Sequence, residues 1–239
     1  MLSQTGVRLP GTSPATMKTN FEMKNKMPTL LKQEPLQNPL SISPGDASCP
    51  DRLPTFVGVR RLFGYLEAAC FEVALPDGRV LHLSAELPSD DDVYAVVLVD
   101  AKRFLSLWRS PLSSHRDIAT MDETTWPSDH KFLDAVAGFD CGRDNPVPLA
   151  EVSCSRMTND VVRKRRRFWL WNETVIVARA GEPYLGFTNG VTRTIFMLAG
   201  GVSAFPVKCA VSSAKLLWEL ADVEAYPSVL LSDLAKYHA

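Results

Sequence analysis

The stretch "GFTNGVTRTIFMLAGGVSAFPV", residues 186–207, carries the change of periodicity on which the fold turns. Val191, Ile195 and Leu198 recur at i, i+4 and i+7, the stripe of a helix buried along one side, and Gly200-Gly201 stops it as glycine past a last turn does. Beyond the stop, Phe205, Val207, Cys209 and Val211 alternate as one strand face, so the segment predicts a strand, helix, strand crossover. Polar residues Thr188, Asn189, Thr192 and Arg193 gather at the first junction. Arg193 falls in the first turn of that helix, where unpaired N–H groups and the positive end of the macrodipole disfavour a cation unless an anion joins it.

Two readings fit this junction. Helical side chains lean toward the N-terminus, so Arg193 can reach back over Asn189 toward the N–H groups of residues 190–192. Thr188, Asn189, Gly190, Thr192 and Arg193 then make a basket of donors for a phosphate, with Gly190 admitting close backbone approach. In the other reading Arg193 pairs with a carboxylate such as Glu182, while Asn189 and Thr188 cap the helix.

Working outward, short alternating apolar runs begin at Thr55. "CFEVALPDGRVLHL" sets Asp77-Gly78 between two such runs and predicts a β-hairpin. A strand follows over residues 93–99, and Asp100 is the predicted N-cap of a helix in "AKRFLSLWR". "HKFLDAVAGF" predicts a second helix with Phe132, Leu133 and Val136 inward. "PVPLAEVSC" resumes extended structure, and "RFWLWNETVIVARAGEPYLGF" reads as strands with turns at Asn172-Glu173 and Ala180-Gly181. "FPVKCAVSSAKLLWELA" closes the chain as a strand and a helix capped by Ser212 or Ser213.

The segment 1–54 differs in composition. Pro10, Pro14, Pro28, Pro35, Pro39, Pro44, Pro50 and Pro54 interrupt every candidate helix in a polar background, which predicts a disordered leader ahead of a single domain over 55–239. Twenty-six Lys and Arg against 27 Asp and Glu leave a formal charge of −1, so any attraction to nucleic acid must come from local clustering. Five widely spaced cysteines (Cys49, Cys70, Cys141, Cys154, Cys209) form no CxxC pair and fit a reducing cytoplasm better than a disulfide framework or zinc site. No apolar run is long enough to span a bilayer.

One local cluster stands out. Arg163, Lys164, Arg165, Arg166 and Arg167 precede Phe168, Trp169 and Trp171. Read functionally, the cations contact DNA phosphates and the aromatics stack on unpaired bases; read structurally, a solvated basic turn enters a strand whose aromatics are core. Other signatures fall away. "GGVSAF" ends in Phe205 where a nucleophile elbow needs glycine, no P-loop is present, and His82, His115, His130 and His238 lack a metalloprotease spacing. Asp90-Asp91-Asp92 reads as a solvated turn, without the spaced carboxylates of a metal site. No metal site and no particular cofactor is predicted.

The order of the opening segment, strand, Gly-containing turn with Arg, helix, glycine and a strand with Pro-Val, resembles the ParB/sulfiredoxin superfamily over residues 146–211. "LWRS", "PVPLAEVS" and "GFTNGVTRT" with "GGVSAFPV" look most like the plasmid fertility-inhibition factors of the FiwA and Osa type, from "VVLVDAKRFLSLWR" onward. The resemblance implies a compact mixed sheet with short helices, α/β in class, and a cytoplasmic protein that suppresses conjugative DNA transfer by a co-resident plasmid or a related type IV secretion system. It also implies a phosphate pocket, with nucleotide hydrolysis or nuclease activity; Arg193 is then the catalytic residue expected, and Glu182 a candidate general base or metal-holding carboxylate. A nuclease or nucleotidase, and a non-enzymatic blocker of the secretion machinery, are the alternatives. The expected partners are a nucleotide or DNA and a component of that machinery. Two departures matter. Val191 and Thr192 stand where sulfiredoxins have a cysteine and a histidine, and Thr194 stands where ParB proteins pair a second arginine with the first.

Overall fold

Three β-strands joined by tight turns begin the described part of the chain, which in this computed structural model comprises residues 53–87, 93–168, 171–223 and 226–237. They are β1 (Thr55–Leu62), β2 (Leu66–Ala74) and β3 (Val80–Glu86), followed by β4 (Tyr94–Asp100) and α1 (Ala101–Trp108). After α2 (Arg116–Ala119) and α3 (Phe132–Asp140) come β5 (Val147–Pro148), β6 (Ala150–Arg156), β7 (Val161–Phe168), β8 (Trp171–Ala178) and β9 (Pro183–Asn189). The last elements are α4 (Val191–Ala199), β10 (Ala204–Ala210), α5 (Val211–Ala221), β11 (Val229–Leu230) and α6 (Leu231–Leu234). The leader expected over 1–54, apart from its last two residues, lies outside the described residues, as do Asp90-Asp91-Asp92.

The strands form a four-stranded sheet in the order β1-β2-β3-β5, a five-stranded sheet in the order β11-β4-β10-β6-β9, and a separate two-stranded ribbon, β7-β8. The result is the expected mixed α/β architecture. Local chemistry fixes several elements where the sequence places them. Asp77 accepts from the Arg79 backbone N–H at 3.0 Å and from Arg79 Nε at 2.8 Å, closing the β2-β3 hairpin with Gly78 at φ 88°. Asp100 caps α1 by accepting from the Arg103 N–H at 2.8 Å.

One passage joins the two larger sheets. Val147 and Pro148 pair parallel to Leu83 and Ser84 of β3, the Leu149 N–H donates to the Ser84 carbonyl at 2.7 Å, and from Ala150 the same run of chain pairs parallel to β10. The chain therefore crosses between sheets at Leu149, whose side chain is buried. An aromatic cluster fills the core beside the five-stranded sheet: Phe104 meets Phe205 edge-on at 5.2 Å between ring centroids, and Trp108 meets Phe187 at 4.7 Å.

Four expectations change. The segment β9-α4-β10 is present, but β6 is antiparallel to β9 and parallel to β10, so β9 and β10 run in opposite directions with β6 between them. Periodicity reveals element type and carries no strand direction. Leu133 is 73% exposed, because the inward stripe of α3 runs through Phe132, Val136 and Phe139; the Phe139 ring stacks on Phe196 at 4.7 Å. α5 leaves β10 directly with Ala210 as its N-cap and no side-chain cap bond, so Ser212 and Ser213 sit inside its first turn and Val211, expected on the strand face, opens the helix instead. Asn172 and Glu173 belong to the β7-β8 ladder opposite Arg166 and Arg165, and Phe168 already pairs with Trp171, so the expected turn at Asn172-Glu173 is strand. The turn around Ala180-Gly181 is as expected, with Gly181 at φ 81°.

Candidate functional site

Gly190 sets the geometry of the junction between β9 and α4. It is buried at φ 94°, ψ 14°, and a Cβ there would lie 2.6 Å from Ala150 Cα and 2.8 Å from Ala150 Cβ. Only glycine lets the helix start this close to β6. The Gly190 carbonyl accepts from the Thr194 N–H at 3.0 Å and from Thr194 Oγ1 at 2.9 Å. Thr194 is fully buried, a core residue. As N-cap, Gly190 offers no side chain to the first turn, which leaves the N–H groups of Val191, Thr192 and Arg193 without an intrahelical acceptor.

A cleft of about 340 Å³ opens on this helix start. Thr188, Asn189, Gly190, Thr192 and Arg193 all line it, so the residues expected to bind phosphate are brought together. His115, Asp129, His130 and Lys131 add further polar groups to a wall that Ile118, Phe187, Val191 and Ile195 also line. His115 and Asp129 come from connections with no periodicity and no motif spacing, while His130 and Lys131 begin the segment expected as helix and lie just before α3. His115 adopts φ 52°, and Asp129 Oδ1 accepts from the Lys131 N–H at 2.9 Å with His130 Nδ1 4.0 Å away.

Arg193 looks both ways. Its Nη1 donates to the Pro148 carbonyl and to the Leu149 carbonyl at 3.2 Å, and its Nη2 to Asn189 Oδ1 at 3.4 Å. The guanidinium thus satisfies backbone acceptors where the chain crosses between sheets. It is half-buried, and that desolvation pulls its pKa below the usual arginine value, although an arginine remains charged at neutral pH. Among the described residues no carboxylate pairs with it. Glu182, the alternative partner, does not approach: its Oε2 accepts from the Arg179 N–H at 2.9 Å in the turn before β9. Asn189 stands seven residues further along the extended chain, roughly 23 Å away.

The basic run lies elsewhere. Arg163, Lys164, Arg165 and Arg166 are exposed on β7, in a strand of the ribbon where a turn was the structural reading. Arg167 continues the same strand; its side chain, with those of Phe168, Trp169 and Trp171, lies outside the described residues. The ribbon is rooted beside Glu182: the Ala180 N–H donates to Asp160 Oδ1 at 2.7 Å and the Met157 N–H to the Glu182 carbonyl at 3.0 Å. Ribbon and cleft stand at opposite ends of β9. Among the described residues no helix is long and apolar enough to cross a membrane.

Comparison with known proteins gives three matches. A family model described as Plasmid Fertility inhibition factor covers residues 96–222. Protein osa of Shigella flexneri is 30% identical over 112 residues, 47% of this chain and 47% of that protein. The chain thus spans about half the length of this curated relative. The crystal structure of Oncogenic Suppression Activity Protein, titled a plasmid fertility inhibition factor in its gold(I) cyanide derivative, superposes with a TM-score of 0.58. That match has 23% identity and covers 78% of this chain and 83% of the other, a likeness of fold.

Proposed function

Because the chain belongs to the plasmid fertility inhibition factor family, we propose that it suppresses conjugative transfer of a co-resident plasmid, or secretion through a related type IV system, from the cytoplasm of the donor cell. It acts through an anion-binding cleft at the start of α4 and through DNA contact by Arg163, Lys164, Arg165, Arg166 and Arg167. The carrying observation is the half-buried Arg193 guanidinium, which has no carboxylate partner among the described residues and opens on a cleft that also holds Lys131 and the uncapped N–H groups of α4. A half-buried cation without a paired carboxylate favours an anion beside it, and first-turn N–H groups add donors at the same helix start. The resemblance to the ParB/sulfiredoxin superfamily implies a phosphate pocket at this junction, which supports the same reading.

In this cleft Arg193 supplies charge, Asn189 and Thr192 orient a phosphate of a nucleotide or of DNA, and Gly190 keeps the backbone near it. Glu182 takes no part, since it holds the turn at the root of the ribbon. The test uses Lys131→Gln and Thr192→Val, which spare the carbonyl contacts of Arg193. Each should cost roughly 1.5 to 3 kcal/mol of nucleotide binding, the scale of a charge-assisted hydrogen bond for Lys131 and an upper bound for Thr192. Melting should stay unchanged and transfer of a co-resident plasmid should recover. Turnover of the bound nucleotide would make the protein a hydrolase. Intact suppression by variants that no longer bind nucleotide would leave a surface blocker of the secretion machinery.

A further inference from the structure

Among the described residues, β7 and β8 pair with each other and with no other strand. Residues 162–166 and 173–176 are all exposed, so over this length both faces of the ribbon meet solvent. The register sorts the cations between those faces. Lys164 and Arg166, opposite Thr174 and Asn172, share one face; Arg163 and Arg165, opposite Val175 and Glu173, share the other. Four successive cations therefore make two basic faces set back to back.

This arrangement discriminates among anionic partners. A bilayer or an acidic protein patch is a surface, and a ribbon laid on it presents one face and leaves the other pair of cations in water. A slot with phosphates on both walls engages both. The major groove of double-stranded DNA is such a slot, about 12 Å wide, and it admits a two-stranded ribbon. A sheet with side chains on both faces is about 10 Å thick, the spacing at which sheets stack. Self-association through the open ribbon edges is opposed by the same charges. Resting on the DNA contact proposed above, we infer that the β7-β8 ribbon is a duplex-reading arm that enters the major groove edge-on, Arg163 and Arg165 meeting the phosphates of one strand and Lys164 and Arg166 those of the other. Glu173, on the face of Arg165, tempers the attraction.

The test measures binding of the full chain to a short duplex, to one of its single strands and to phosphatidylserine-rich vesicles, over a range of potassium chloride. The variants are Arg163→Gln with Arg165→Gln, Lys164→Gln with Arg166→Gln, and Glu173→Gln. The duplex should bind more tightly than the single strand or the vesicles. Each double variant should flatten the slope of log K against log salt by about 1.8, two contacts at about 0.9 each, while Glu173→Gln should tighten binding. Dependence on one face alone overturns the groove geometry, as does preference for the single strand or the vesicles. If neither double variant alters binding to any DNA, the DNA contact itself falls and this inference with it, whereas the cleft is judged separately by Lys131→Gln.

Discussion

A methyl group at position 190 has nowhere to go: the backbone of Ala150 is already within 3 Å of where it would stand, and φ is 94°. Gly190→Ala should therefore cost about 2 kcal/mol or more, read as a lower urea midpoint. Arg193→Ala should also destabilise, by about 1 to 3 kcal/mol, since it leaves the Pro148 and Leu149 carbonyls short of a donor. Stability and ligand binding should then fall together, whereas Lys131→Gln should separate them. Burial pushes the thiols of Cys154 and Cys209 up, to about 11 and about 12. An unfolded thiol loses its proton near 8.5. The sign follows: the stability tied to these protonated thiols is complete below that pH and is lost as pH climbs toward their folded values. Cys209→Ala should flatten the alkaline fall in stability, measured as urea midpoint against pH.

At the scale of elements, the ribbon should be dispensable for folding. Replacing residues 162–176 by a short turn removes, among the residues whose burial is described, only exposed side chains and should shift stability by less than about 1 kcal/mol in a thermal melt. The same exposure explains why the ribbon is hard to see in the sequence. A strand solvated on both faces has no apolar alternation, so "RKRRR" reads as a turn and Asn172-Glu173 attracts a reversal that falls earlier. Elements whose ends carry their own chemistry are legible: Asp77-Gly78 closes a hairpin, Asp100 caps α1, and Gly200 ends α4. Half of the cleft is legible for the same reason, since Thr188 to Arg193 are consecutive. The other half is not, because His115 and Asp129 reach it from irregular connections. Nor could a local reading find Arg193's acceptors, 44 and 45 residues away in sequence.

At the scale of the molecule, the buried hydrophobic residues among those described run from Val59 to Leu234, and a chain beginning at Leu53 keeps every one of these. Removing the first 52 residues should leave the melting temperature within about 2 °C of the full chain's, the shift produced by a small change in stability; a much lower melt would give the leader a share in the core.

The crossing at Leu149 has a consequence for motion. One run of chain is hydrogen-bonded on one side of that residue to the first sheet and on the other side to the second, and Arg193 fastens the crossing. Neither sheet can open at this seam without pulling on its neighbour. Amide protons of Ser84 and Val207, though in different sheets, should exchange with deuterated solvent through the same global opening, while those of Arg163 to Arg166 exchange through local opening orders of magnitude sooner.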